Sequence, residues 1–110
     1  MCHRKIEQTA KFERDIKKLR RHRGLDRKVQ EMLNNLATDK IADGDRMPRH
    51  KGLSVFKIRC GTKNMSARKC ARIIYYKDAS KLIALRVHLK NDRESIPDKE
   101  ITALINDYVL

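Results

Sequence analysis

The sequence predicts an α+β fold with the order strand, two helices, a three-stranded antiparallel meander and a closing helix. Apolar residues recur at helical spacing over residues 12–36, alternate like a strand after Pro48, and return to helical spacing after Pro97. A chain of 110 residues has room for one modest core, so we expect a single domain over residues 1–110. The helices are expected to pack on one sheet face and to leave the other open.

The N-terminal part is expected to contain an edge strand over residues 4–8 and two helices joined by a turn. The first helix begins at Thr9, and its apolar stripe comprises Phe12, Ile16 and Leu19. Gly24 tolerates the positive φ that favours a helix end, so the first helix is expected to stop there.

A second helix is expected to begin near Asp26, which is a suitable N-cap residue. Its apolar face comprises Val29, Met32, Leu33 and Leu36. Residues 42–48 contain an Asp-Gly pair and a proline, which predicts a loop.

Three strands are expected over residues 53–60, 68–77 and 81–90, because side chains there alternate and β-forming residues are frequent. Pro97 suits the first position of the closing helix. The apolar stripe of that helix comprises Ile101, Leu104, Ile105 and Tyr108.

Alternation also predicts which strand residues lie on the open face. On the third strand, the apolar face is formed by Ile83, Leu85, Val87 and Leu89, and the polar face by Arg86, His88 and Lys90. Three further cations are expected to join the polar residues, namely Lys57, Arg59 and Arg72.

Positive charge is concentrated in the middle of the chain. Between Arg46 and Arg72 there are nine Lys or Arg residues and no Asp or Glu, and the net charge is +13. Such a segment is typical of a surface that binds a large anion, most commonly nucleic acid. Charge alone leaves RNA, DNA, the ribosome and an anionic membrane surface open.

Several other classes are not indicated. No segment approaches the roughly 20 apolar residues of a membrane span, and the N-terminal residues lack the apolar stretch of a secretory signal. The three cysteines are odd in number and lack CxxC spacing, so we expect a reduced, cytoplasmic chain. No metal site or cofactor motif is found.

Three segments together resemble the RelE/ParE toxin superfamily. They are FERDIKKL at residues 12–19, the strands over residues 53–76 with FKIR and ARIIYY, and VHLKND at residues 87–92. Within the superfamily, the loop before Arg72 and the run RIIYY look closest to the HigB-like branch. The resemblance implies the toxin of a type II toxin–antitoxin pair. It would inhibit translation as an endoribonuclease that cleaves mRNA in the ribosomal A site without metal, and a cognate antitoxin would neutralise it.

The resemblance also implies a catalytic cleft, formed by Lys57, Arg59, Arg72 and Lys90. Guanidinium groups match phosphate oxygens, so the two arginines suit stabilisation of the transition state, and a lysine could act as base if neighbouring cations lower its pKa. His88 is the candidate general acid because histidine titrates near neutrality. The tyrosine that completes the site in well-known RelE toxins has no counterpart in residues 93–97, and Tyr108 is expected in the core.

Further residues are candidates for contacts with RNA or the ribosome. Tyr76 could stack on a base. The others are cations that would bind the backbone, namely Arg49, Lys51, Lys63, Arg68, Lys69, Arg86 and Arg93.

Two alternative functions stay open. One is a ParE-like inhibitor of DNA gyrase, which would share the fold but not the RNA chemistry. The other is a non-catalytic protein that binds RNA or the ribosome. The cation cluster and His88 favour the nuclease over the gyrase inhibitor, whereas the missing tyrosine keeps the non-catalytic alternative open.

Overall fold

The computed structural model describes residues 4–22, 24–47, 52–61, 70–89 and 96–110, which contain five strands and three helices. In chain order these are β1 (Lys5–Gln8), α1 (Ala10–Leu19), α2 (Leu25–Ala37), β2 (Asp45–Arg46), β3 (Val55–Cys60), β4 (Ala71–Lys77), β5 (Lys81–Leu89) and α3 (Asp98–Tyr108). None of these helices combines the length and the apolar character needed to cross a membrane.

The strands form one sheet in the order β1-β5-β4-β3-β2. Strands β2 to β5 pair antiparallel, and β1 adds to β5 in parallel. The predicted α+β class and the predicted order of elements are therefore confirmed. The prediction of a loop over residues 42–48 is wrong for Asp45 and Arg46, because they pair with Lys57 and Phe56 of β3.

The ends of the first two helices follow from local residues. Thr9 caps α1, since its hydroxyl accepts a hydrogen bond from the Phe12 N–H at 3.0 Å. Gly24 has a φ of +80° and lies directly before Leu25, where α2 begins. The prediction that Asp26 is the N-cap of α2 is therefore wrong, because Asp26 lies in the first turn of the helix.

Helices cover both faces of the sheet. Helices α1 and α2 bury one face in a core that includes Phe12, Leu33 and Tyr75. Helix α3 packs on the opposite face, where Ile101 belongs to a second core with Ile83. The expectation of one fully open face is therefore wrong, because the apolar stripe of α3 buries part of that face. The part of it that carries Lys57, Arg59, Arg72 and His88 forms the site described below.

A β-bulge in β5 changes the alternation of its side chains. Ala84 is opposite Tyr75 and Arg86 is opposite Ile74, so Leu85 is an extra residue. Ile83 and Leu85 therefore belong to the α3 core, whereas Val87 and Leu89 belong to the α1–α2 core. The prediction that all four share one face is wrong, because one extra residue reverses the alternation after it.

Side chains of α1 and of its N-cap residue bind the edge of β5 beyond the region that pairs with β1. The Thr9 hydroxyl donates to the Leu85 carbonyl oxygen at 2.8 Å, and the Val87 N–H donates to the Asp15 carboxylate at 3.1 Å. Asp15 also accepts two hydrogen bonds from the Arg86 guanidinium, at 2.7 and 3.1 Å, and Arg86 donates a third to Glu100 of α3 at 2.9 Å. These hydrogen bonds raise the pKa of Arg86, Asp15 contributing most. One partly buried ion cluster thus joins α1, β5 and α3.

We expect Asp15→Ala to lower the free energy of unfolding by about 3 kcal/mol, because Arg86 keeps only Glu100 of its two carboxylate partners and the buried Val87 N–H loses its acceptor. Urea unfolding followed by circular dichroism measures this. Glu13→Ala, at an exposed position of the same helix, is the matched control and should change stability by at most about 0.5 kcal/mol. A loss of less than about 1 kcal/mol for Asp15→Ala would contradict the structural role of this cluster.

Asp78 organises the turn between β4 and β5. Its carboxylate accepts hydrogen bonds from the backbone N–H groups of Ser80 and Lys81, at 2.8 and 2.9 Å, and from the Tyr76 hydroxyl at 2.8 Å. Burial acts to raise the pKa of Asp78, but these hydrogen bonds outweigh burial and lower the pKa to about 2. The ionised carboxylate therefore stabilises the folded chain.

Asp78→Asn is expected to remove a pH-dependent part of the stability. The pKa is lower in the folded chain than in the unfolded chain, so the contribution is complete above about pH 5 and is lost as the pH falls towards about 2. The difference in unfolding free energy between wild type and variant should be constant from neutral pH to about pH 5 and shrink below it. Urea titrations over this range measure the difference, and one that does not change with pH would show that Asp78 plays no such role.

Candidate nucleic-acid interface

The predicted cationic side chains lie in two rows across the sheet. In the first row, Arg59 of β3 is opposite Arg72 of β4, and Arg72 is opposite His88 of β5. In the second, Lys57 of β3 is opposite Ile74 of β4, and Ile74 is opposite Arg86 of β5. Residues directly opposite each other in an antiparallel pair project from the same face, with Cβ atoms about 5 Å apart. The first row therefore brings two guanidinium groups and an imidazole together on the face that α3 partly covers.

Burial differs along these rows. Arg59 is exposed and Lys57 is half-buried, whereas Arg72 and His88 are only 9% and 7% exposed. Among the residues that the structure describes, no carboxylate lies within ion-pair distance of Lys57, Arg59 or Arg72. A buried cation between other basic side chains is unfavourable in the free protein, and a bound anion would relieve that cost.

A cleft of about 530 Å³ opens beside the rows. It is lined by the side chains of β3 and β4 and by the segment that leads into β2, namely Asp43, Gly44, Asp45, Lys57, Ile58, Arg59 and Arg72. Within the described part of the chain, this cleft combines three cations with carboxylates from the β2 side. Because cations outnumber carboxylates in its lining, the cleft suits an anionic group such as a phosphate.

Sequence reasoning missed Asp45. It lies opposite Lys57 and therefore on the face of the cationic rows, and it also lines the cleft. A strand of two residues has no alternation that could predict this placement. Gly44 was the available signal, because a β-carbon at this position would overlap the Lys57 carbonyl group, so the backbones approach closely only with glycine.

Asp43, in contrast, is held by structural contacts. Its carboxylate accepts hydrogen bonds from the Tyr75 hydroxyl and the Lys77 ammonium, both at 3.0 Å, and Lys77 also pairs with Asp39 at 2.8 Å. The Tyr75 hydroxyl in turn accepts from the Gly44 N–H at 3.0 Å. Burial, followed by the Asp43 charge, raises the pKa of Tyr75. This network fixes the wall of the cleft against the sheet, and Asp45 is the other carboxylate residue that lines the cleft, opposite Lys57 in the sheet.

For three other residues, the position in the structure differs from the role or place that the sequence had predicted. Arg86 is bound by Asp15 and Glu100, so its guanidinium belongs to a structural ion cluster and is not available to RNA as the sequence had suggested. Tyr76 is 8% exposed within the α3 core and donates to Asp78, so its ring has no open face for a base. Tyr108 is not in the core but is 37% exposed, and its hydroxyl accepts a hydrogen bond from the Ala10 N–H at 3.2 Å.

The remaining predicted site residues lie outside the described residues. They are Arg49, Lys51, Lys63, Arg68, Lys69, Lys90 and Arg93. Within the described ranges, no group of three or more His, Cys, Asp or Glu side chains is arranged to hold a metal ion. Cys60 and Cys70 are buried thiols that form no disulfide, and burial raises the pKa of the Cys60 thiol to about 11.

A comparison with solved structures agrees with the predicted architecture, whereas no protein-family model and no curated protein matches the sequence. Among solved structures, the chain is similar to a double arginine-to-alanine variant of the toxin RelE from Escherichia coli in the free state. The TM-score is 0.58, and the alignment covers 99% of this chain and 100% of that chain. The chain has a RelE-like fold.

The RelE-like fold expected from the sequence is thereby confirmed. The two chains are only 10% identical, so the likeness is one of fold. The arrangement of the cationic rows and of Asp45 follows from this chain's own strand register and burial.

We expect Arg59→Ala to lower the salt dependence of binding to single-stranded RNA. Loss of one phosphate contact should reduce the slope of log K against log salt concentration by about 0.7 to 1. Fluorescence anisotropy with a labelled oligonucleotide at several salt concentrations measures the slope. Arg27→Ala removes an equal charge from an exposed position of α2 and should change the slope less. Equal slopes for the two variants would show that the cleft is not the main RNA-binding surface.

Proposed function

We propose that this protein is the toxin of a type II toxin–antitoxin system, of the HigB-like branch, which cleaves mRNA on the ribosome without a metal ion. The RelE-like fold supports the general assignment. The observation that carries the nuclease activity is the row of Arg59, Arg72 and His88, in which Arg72 is nearly buried and has no carboxylate partner among the described residues.

The row supplies hydrogen-bond donors for the negative charge that develops on the reacting phosphate. Cleavage through attack of the ribose 2′-oxygen places additional negative charge on the non-bridging oxygens. Arg59 and Arg72 are adjacent on neighbouring strands and can donate several hydrogen bonds to those oxygens. Because Arg72 is shielded from water, its interaction with this charge is stronger than at an exposed site.

Two proton transfers complete the reaction. We assign His88 as the acid that protonates the departing 5′-oxygen, since it adjoins Arg72 in the row. Asp45 is the base that we assign to the 2′-hydroxyl. A carboxylate is ionised at neutral pH, whereas lysine accepts a proton there only if its pKa is strongly lowered. Lys57, opposite Asp45, then orients the phosphate. The proton leaves the 2′-oxygen to Asp45, and His88 delivers one to the leaving oxygen.

One observation favours a second candidate function. Among the described residues, no tyrosine hydroxyl lines the cleft, and Tyr108 is occupied at the start of α1. If the assigned groups do not transfer protons, the same cationic surface would make the protein a binding-only inhibitor of translation. Both candidates have RNA and the ribosome as partners, and both would act in the cytoplasm. The toxin assignment adds a cognate antitoxin, whose acidic or amphipathic segment would cover the cationic rows or pack against the helices.

We expect Arg72→Gln and Asp45→Asn each to abolish or strongly reduce mRNA cleavage, by at least about a hundredfold. The experiment is induced expression in a bacterial host, with primer extension on a translated message and on the same message without its start codon. Wild-type protein should cut only the translated message. Arg27→Ala, which removes an exposed charge from α2, should retain cleavage.

The other outcomes separate the candidates. Growth arrest with intact messages would overturn the nuclease and support a binding-only inhibitor. Cleavage by folded, well-expressed Arg72→Gln protein would overturn the role of the row. Loss of cleavage with Arg72→Gln but not with Asp45→Asn would keep the nuclease and return the role of base to a lysine.

A further inference from the structure

A second cavity lies next to the cleft, under the start of α3. Its volume is about 200 Å³, and its lining residues are Met47, Lys57, Ile74, His88, Ile96, Pro97 and Asp98. We call this cavity the base pocket. Cavities that bind drug-sized ligands are larger, about 300–1,000 Å³, so the base pocket suits a single planar ring system.

The chemistry of the lining matches a nucleobase. Ile74, Ile96 and Met47 supply apolar walls for the faces of a ring. Lys57, His88 and Asp98 supply polar groups that can reach its edges. Recognition of an unstacked base combines contact with its faces and hydrogen bonds to its edges.

The position of the base pocket connects it to the cleft. Lys57 lines both cavities, and Ile74, in the wall of the base pocket, is opposite Lys57 in the sheet. A nucleotide with its phosphate on Arg59 and Arg72 can therefore place a neighbouring base in the pocket. Neighbouring strands are only about 4.8 Å apart, so both contacts lie within the reach of one nucleotide unit.

We propose that the base pocket binds one guanine base of the RNA substrate and that Asp98 selects it. A carboxylate accepts hydrogen bonds but donates none when ionised. Guanine presents two adjacent N–H donors, N1–H and the N2 amino group, on its Watson–Crick edge. Adenine and cytosine present one donor group beside an acceptor, and uracil presents one donor between two acceptors. Asp98 therefore pairs fully with guanine alone.

Two further features fit this assignment. A carboxylate has about four acceptor positions, so Asp98 can hold a contact within the protein and a base at once. On the opposite edge, guanine has the O6 and N7 acceptors, for which the Lys57 ammonium is a suitable donor. The inference rests on the proposed RNA substrate, but it concerns which base is bound and does not require cleavage.

The test measures binding in the absence of the ribosome. The probes are 2′-O-methylated pentanucleotides of uridine with one central guanosine, inosine, adenosine or uridine, which cannot be cut at the modified sugars. Fluorescence anisotropy at fixed salt gives the affinities. Wild type should bind the guanosine probe about tenfold more tightly than the adenosine or uridine probe. Inosine, which lacks the N2 amino group, should be intermediate.

Asp98→Asn should reduce the guanosine preference to less than about twofold, because the amide replaces one acceptor by a donor. Asp107→Asn removes the same charge from an exposed position of α3 and should keep the full preference. Met47→Trp is a second variant that fills the base pocket without altering Asp98. It should lower the affinity for the guanosine probe to that for the uridine probe.

Equal affinities of wild type for all four probes would overturn the guanine assignment while leaving RNA binding intact. A guanosine preference that persists in folded Asp98→Asn protein would overturn the role of Asp98. If wild type binds none of the probes at any salt concentration, both the base pocket and the cationic RNA interface are overturned. The failure of the inference is therefore distinguishable from the failure of the proposed function.

Discussion

The extra residue in β5, Leu85, is the constraint on which the arrangement of the site depends. Because β5 has one residue more than β4 at this point, the side chains of β5 change faces after it. Ile83 and Leu85 then support α3, and His88, further along the strand, projects from that same face. With regular alternation, His88 and the residues under α3 would lie on opposite faces. The bulge thus lets one sheet face hold both a helix and a polar cleft.

Four of the described carboxylates serve two different tasks. Asp15, Asp43 and Asp78 accept hydrogen bonds that fix helices, loops and turns, and Asp15 and Asp43 pair with cations that lie away from the cleft. Asp45 instead faces the cleft, close to cations that have no carboxylate partner among the described residues. Structural ion pairs therefore neutralise positive charge elsewhere and leave it uncompensated where an anion is expected to bind.

A site of this kind costs stability, because like charges repel and Arg72 is removed from water with no carboxylate partner among the described residues. The rest of the molecule offsets this cost. Two apolar cores enclose the sheet, and the cluster of Asp15, Arg86 and Glu100 joins three elements at its edge. Rigid support also benefits phosphate chemistry, since donors that are already in place need little reorganisation when charge develops.

The sequence by itself determined the elements whose periodicity is regular, namely α1, α2, β3, β4 and α3, and through them the α+β class. It also placed Lys57 and Arg59 on one face. Only the tertiary structure decided the phase of β5, the existence of β2 and the position of Asp45, because a bulge or a two-residue strand leaves no periodic signal. Periodicity reports the local direction of each side chain. The ion pairs of Arg86 with Asp15 and Glu100, and the packing of α3 on part of the cationic face, are long-range contacts, which form only when distant segments pack together.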